Sequence, residues 1–198
     1  LRKNSTWSNG TPVTAHDFEY SWKRTLTPET AAEYSYIMAD IVGSSTKEIQ
    51  ENGVDGVGVK ALDDYTLEVK LNRPVAYFAE LVSFQVFFPQ NQAFVESCGD
   101  AYGSAADKQL YNGPFTLTSW KMEDQFTMEK NPNYWDAANV KLNKINTKVV
   151  KDTGAEVSLY EDGQIDRAIL SSDYVDKYKD SKELKTREVA SIFMLQIN

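Results

Sequence analysis

The 198-residue sequence holds one cysteine and one histidine, and each scarcity closes off chemistry. Cys98 has no partner for an internal disulfide and is a single ligand where a structural zinc takes four. It reads as a small packed hydrophobe. A serine or cysteine nucleophile is normally activated by a histidine base. The only histidine, His16, falls in the first turn of the first expected helix and reads as solvent-facing. No GxSxG, HExxH, phosphate-binding loop or GxGxxG pattern is present. The carboxylate pairs Asp63-Asp64, Glu123-Asp124 and Glu161-Asp162 each sit at a turn, where acidic side chains bond nearby backbone. Nothing marks two of them as a glycosidase pair. We therefore expect no catalysis, no metal and no cofactor.

Positive charge is also short. The 21 basic residues face 29 acidic ones, for a formal net charge of −8, and they are scattered. A nucleic-acid binder needs a clustered basic footprint, so that partner class is excluded. No uninterrupted apolar run reaches the roughly 18 residues of a bilayer-spanning helix. Hydrophobic residues make up 41% of the chain, enough to bury a core. Leu1 is not an initiator methionine, and the apolar, β-branched stretch Val189 to Ile197 stops one residue later at Asn198. A strand normally runs on into a turn and a partner, so both ends are expected to be cuts in a longer chain.

Local patterns predict mixed secondary structure. Thr14 and Asp17 form a capping-box pattern before Ala15, Phe18, Trp22, Thr25 and Leu26 at helical spacing. Pro28 suits a first helical position, predicting a second helix to about Ile41 that partly buries Ala31, Tyr34, Ile37, Met38 and Ile41. Asn52 to Gly58 reads as a loop. Alternation at Val57, Val59 and Ala61, then at Tyr65, Leu67, Val69 and Leu71, predicts a hairpin turning at Asp63-Asp64. Pro74 opens a short helix with Phe78, Leu81 and Val82, and Phe87-Phe88-Pro89 is extended.

Further on, a helix over Asn91 to Cys98 ends at Gly99. A strand runs from Phe115 to Met122, with an apolar phase slip between Leu117 and Trp120 that predicts a bulge. Phe126 to Glu129 returns beside it, and Ile145, Thr147 and Val149 mark another strand. A helix from Ala155 to Tyr160 ends at Gly163, Ile165 to Leu170 reads as a strand, and Ser172 caps a last helix with Val175 and Tyr178. The class is α/β, or α+β mixed, with a boundary near residue 90.

Several ordered blocks also resemble the oligopeptide-binding proteins, the solute-binding subunits of ATP-driven peptide importers in extracellular solute-binding protein family 5. They are Leu1-Arg2-Lys3 with Trp7 to Phe18 (WSNGTPVTAHDF), Tyr20 to Arg24, Gly58 to Val69 and Pro74 to Phe78. Asn112-Gly113-Pro114-Phe115, Lys130 to Asp136 (KNPNYWD) and Gly163 to Asp166 (GQID) follow in order. The resemblance implies part of a bilobed, type II periplasmic-binding-protein-like fold. Residues 1–90 would be its small extra domain, and residues 91–198 the central part of ligand-binding lobe I, ending at the inter-lobe hinge strand. It implies capture of an extended peptide between two lobes by added-strand bonding, hinge closure and delivery to a membrane permease of an ABC transporter. The location would be extracytoplasmic, as a cell-surface lipoprotein or in the periplasm, and the fragment is expected to be monomeric.

By family position, Tyr34 faces the ligand, with its ring on the peptide and its hydroxyl on the peptide backbone. Phe84, Ile169, Met194 and Gln196 fall at pocket positions where well-known members carry His, Tyr and Glu, which implies more apolar pockets here. Trp7, Gly10, Asp17, Asn112, Gly113, Tyr134 and Trp135 read as caps, turns and packing. The competing readings are the same fold holding a nickel complex, an oligosaccharide or a peptide pheromone, or a sensor or adhesion module.

Overall fold

The computed structural model describes residues 1–189 and falls into two units, Leu1–Thr147 and Lys148 onward. In the first unit, helix α1 (Ala15–Leu26) starts at the expected capping box. Asp17 Oδ2 accepts from the Thr14 N–H at 2.7 Å, the Thr14 hydroxyl at 3.2 Å and Trp7 Nε1 at 3.3 Å. Three donors explain how a carboxylate is buried here. Trp22 and Leu26 carry α1 into a core with Met38, Ile41, Ile49, Val57, Val59 and Phe87. Phe87 meets Trp22 edge to face at 5.0 Å, and its carbonyl accepts from Trp22 Nε1 at 2.8 Å.

The second expected helix does not form. Two short 3-10 turns, Pro28–Thr30 and Ser35–Met38, stand in its place, separated by Ala31 in the left-handed region at φ 48°. Ala31 and Tyr34 are exposed, while Met38 and Ile41 are fully buried. The carbonyls of the segment's end are used elsewhere. Asn72 takes those of Asp40, Ala39 and Ile41, and Ile41 bridges Leu71. Tertiary bonding overrides local helix propensity there. Helix α2 (Thr46–Asn52) follows, with Ser45 and Glu48 in a reciprocal capping box that the sequence reading passed over. Gly43 permits a close chain crossing, since a Cβ at this residue would lie 2.4 Å from the Gly56 carbonyl oxygen.

Strands β1 (Val59–Asp63) and β2 (Thr66–Val69) form the expected antiparallel hairpin, pairing Val59 with Val69 and Ala61 with Leu67. Glu19 on α1 accepts the Ala61 N–H at 2.7 Å and pairs with Lys23 at 2.8 Å. Burial raises the Glu19 carboxyl, but the Lys23 and Ala61 donors outweigh it, so its pKa lies below the ordinary value.

Next come α3 (Phe78–Leu81), a 3-10 turn over Gln85–Phe87, and α4 (Gln92–Cys98), capped by Asn91 and ended at Gly99. Cys98 is free and partly buried. A second sheet has the order β3-β4-β5, from Phe115–Lys121, Gln125–Lys130 and Lys144–Lys148. The register between β3 and β4 shifts between Leu117 and Ser119, where the phase slip predicted a bulge.

The motif residues knit this unit together. Asn131 is fully buried, donates to the Gly113 carbonyl at 2.9 Å and accepts the Asn133 N–H at 3.0 Å. Asn133 donates to the Ser8 carbonyl, and the Ser8 N–H bonds the Tyr111 carbonyl. Arg2 stacks 3.7 Å above the Trp135 ring.

The second unit contains α5 (Thr153–Glu161), capped by Asp152, and α6 (Ser172–Tyr178). The N-cap of α6 is Ser171, one residue before the expected Ser172. Ile165 to Leu170 is not a strand among the described residues. Its backbone finds no ladder partner among them, and the Ile169 N–H bonds Glu156. A segment can be extended, but only a neighbouring strand makes a sheet. The Lys177 ammonium on Glu161 holds that carboxyl below its usual range, and Glu183 raises the Tyr160 hydroxyl that donates to it.

Candidate functional site

The structure brings two of the five expected site residues together. Tyr34 begins the 3-10 turn that ends at Met38, and Phe84 begins the one that ends at Phe87. Both turns follow one design: the last side chain sinks into the core while the aromatic at the start stays outside. Met38 and Phe87 are at most 1% exposed, against 43% for Tyr34 and 37% for Phe84. The Tyr34 and Phe84 rings meet edge to face at 5.4 Å, a favoured aromatic geometry.

Tyr36, which the sequence reading did not select, packs on Tyr34 at 6.2 Å and is 69% exposed. The Tyr-x-Tyr spacing was the available signal, but the expected helix hid it. The Tyr34 hydroxyl bonds none of the described residues, so it is free to bond a ligand. Beside this face Tyr77 donates to Asp40 at 3.3 Å, and Arg73 holds the other Asp40 oxygen at 2.9 Å. The face is an exposed, preassembled aromatic surface with a free hydroxyl. It offers stacking and a hydrogen bond, without a nucleophile and base.

Ile169 belongs to the second unit. It is exposed on a concavity of about 820 Å³, where Val157, Leu170, Val175 and Leu184 give an apolar lining. Met194 and Gln196 lie outside the described residues. His16 is exposed, with Nε2 3.6 Å from Asp64, and among the described residues no group of three or more His, Cys, Asp and Glu is arranged for a metal.

The model of the bacterial extracellular solute-binding proteins, family 5 Middle, matches residues 1–198. The oligopeptide-binding protein OppA of Bacillus subtilis is 35% identical over 203 residues, which cover all of this chain and 37% of that protein. The crystal structure of an oligopeptide ABC transporter substrate-binding domain from Bacillus anthracis superposes with a TM-score of 0.87 at 48% identity, over 92% of this chain and 35% of that one. Listeria monocytogenes OppA bound to peptide gives a TM-score of 0.87 at 44% identity, over 92% and 36%. The chain thus spans little more than a third of the relatives it matches. These relatives are binding proteins, and the mixed helix and strand architecture is theirs over nearly the whole chain. On the full-length family match and these likenesses, the chain belongs to the bacterial extracellular solute-binding proteins of family 5.

Proposed function

We propose that this chain is a peptide-contacting fragment of the substrate-binding subunit of an ABC-type oligopeptide importer. The observation that carries the reading is the Tyr34–Phe84 pair, exposed and ring to ring on turns anchored in the core. Burying such a pair against an extended peptide removes apolar surface from water, and the Tyr34 hydroxyl bonds peptide backbone, which every sequence shares. A 44%-identical structure described as bound to peptide supports the same reading.

In the whole protein, residues 1–90 form the small extra domain and residues 91–198 the central part of ligand-binding lobe I. Ile169, Met194 and Gln196 line further side-chain pockets. The peptide is enclosed between two lobes and handed to a membrane permease from an extracytoplasmic site, with the protein lipid-anchored or periplasmic.

Because part of the enclosing surface lies outside this segment, the 198-residue chain is expected to bind a random peptide pool no tighter than millimolar in calorimetry. Micromolar binding would overturn the shared-cleft arrangement. Native mass spectrometry of ligand co-purified with the full-length polypeptide is expected to release peptides. Exclusive recovery of a non-peptide solute would sink the peptide reading.

A further inference from the structure

Resting on the peptide-capture reading, we infer that the Tyr34–Tyr36–Phe84 face selects a cationic peptide side chain, that of lysine or arginine. The argument starts from charge. No lysine or arginine occurs between Arg24 and Lys47, the stretch that carries Tyr34 and Tyr36, or between Arg73 and Lys108, the stretch that carries Phe84. The first carries Glu29, Glu33 and Asp40, and the second carries Glu80 just before Phe84; Asp107, further on, is paired with Lys108.

Arg73, at the edge of the second stretch, is committed to Asp40 through Nε and Nη2, both at 2.9 Å. Glu33 directly precedes Tyr34, and Glu80 lies on α3 one turn before Phe84. Both carboxylates are exposed, and neither side chain has a hydrogen bond or ion pair among the described residues. The segments that carry these partly exposed rings therefore bring uncompensated negative charge with them.

Ring faces carry negative potential and attract an ammonium or guanidinium. The long stems of lysine and arginine lay their methylenes on apolar surface while the charged head reaches a carboxylate. A neutral apolar side chain gains the ring contact alone, and a carboxylate meets like charge. The chain already uses this chemistry internally: Arg2 lies 3.7 Å above Trp135, and Arg24 lies 5.4 Å from the Tyr102 ring centroid. No arginine or lysine of the described residues lies over Tyr34, Tyr36 or Phe84 in the same way.

The test titrates four terminally blocked tripeptides, Ala-Lys-Ala, Ala-Arg-Ala, Ala-norleucine-Ala and Ala-Glu-Ala, into the 198-residue chain. Amide shifts at Tyr34, Tyr36 and Phe84 are followed by NMR, which reads millimolar binding. The lysine and arginine peptides are expected to bind about fivefold tighter than the norleucine peptide, with the glutamate peptide weakest. The preference should collapse toward unity at about 0.5 M salt and in the Glu33→Gln, Glu80→Gln double variant, whose unchanged spectrum elsewhere reports an intact fold. Equal affinity of all four peptides at this face overturns the cationic preference and leaves peptide capture standing. No shift at the face with any peptide, or shifts confined to other residues, sinks the capture reading of the face as well.

Discussion

Within the first unit, the motif-rich scaffold and the aromatic face put similar side chains to opposite uses. Trp7, Trp22 and Phe87 are almost wholly buried, with Trp7 bonded to Asp17 and Trp22 to the Phe87 carbonyl. Tyr34, Tyr36 and Phe84 are also large aromatics, yet they are 37–69% exposed. Burial of apolar surface stabilises a fold by about 25 cal/mol per Å², and these three rings leave much of that gain unused. In the proposed reading, this exposure is surface reserved for a ligand. The most recognisable residues of this chain build the support, and the proposed contact surface lies in the plainer stretches around residues 34 and 84.

That contrast can be broken by experiment. The largest effect is expected from Phe87→Ala, which empties the centre of the core and should cost about 3–5 kcal/mol in chemical denaturation. A loss under about 1 kcal/mol would mean that the core is not organised around this ring. Asn131→Ala comes next, at about 2–3 kcal/mol, because it leaves the Gly113 carbonyl and the Asn133 N–H without their buried partner. A near-neutral Asn131→Ala would show that the motif does not tie the loops together.

Glu19 has a smaller, pH-dependent role. Its folded pKa is lowered, so its contribution is complete above the unfolded value of about 4.3 and disappears as pH falls through the folded value. Glu19→Gln should flatten that acidic limb of the stability curve by about 1 kcal/mol, and an unchanged limb would remove Glu19 from the α1–hairpin contact. Tyr34→Ala sharpens the contrast from the other side. Its melting should shift by no more than about 0.5 kcal/mol, while peptide-induced shifts at Phe84 vanish. A stability loss on the scale of Phe87→Ala would erase the distinction between scaffold and face.

Local signals were legible wherever the physics is local. The Thr14–Asp17 capping box placed α1, alternation placed the β1–β2 hairpin, and a slipped apolar phase placed the bulge between Leu117 and Ser119. Ser45 and Glu48 held an equally local signal for α2 that went unread. The failures have another cause. Residues 28–41 read as a helix because propensity does not register that Asn72 and Leu71 will claim the segment's carbonyls and backbone. Ile165 to Leu170 read as a strand because local sequence does not register whether a neighbour pairs with it, and among the described residues none does. Tyr34 and Phe84 were selected by family position, and the structure brings their rings together. Tyr36 was missed because a helix would have turned it away from Tyr34, whereas the 3-10 turn keeps the two rings together.

The ordered motifs marked this from sequence alone as a family 5 solute-binding chain, while the scarcity of cysteine and histidine and the acidic balance only narrowed the chemistry to expect. Such properties depend on which groups are present and on short-range spacing, which the chain order carries directly. Tertiary structure alone decided that rings 50 residues apart, Tyr34 and Phe84, meet at 5.4 Å. It also decided that these rings face outward while Met38 and Phe87, a few residues on, are buried. Both outcomes follow from how two short turns dock on one core, and that geometry is written in no single stretch of sequence.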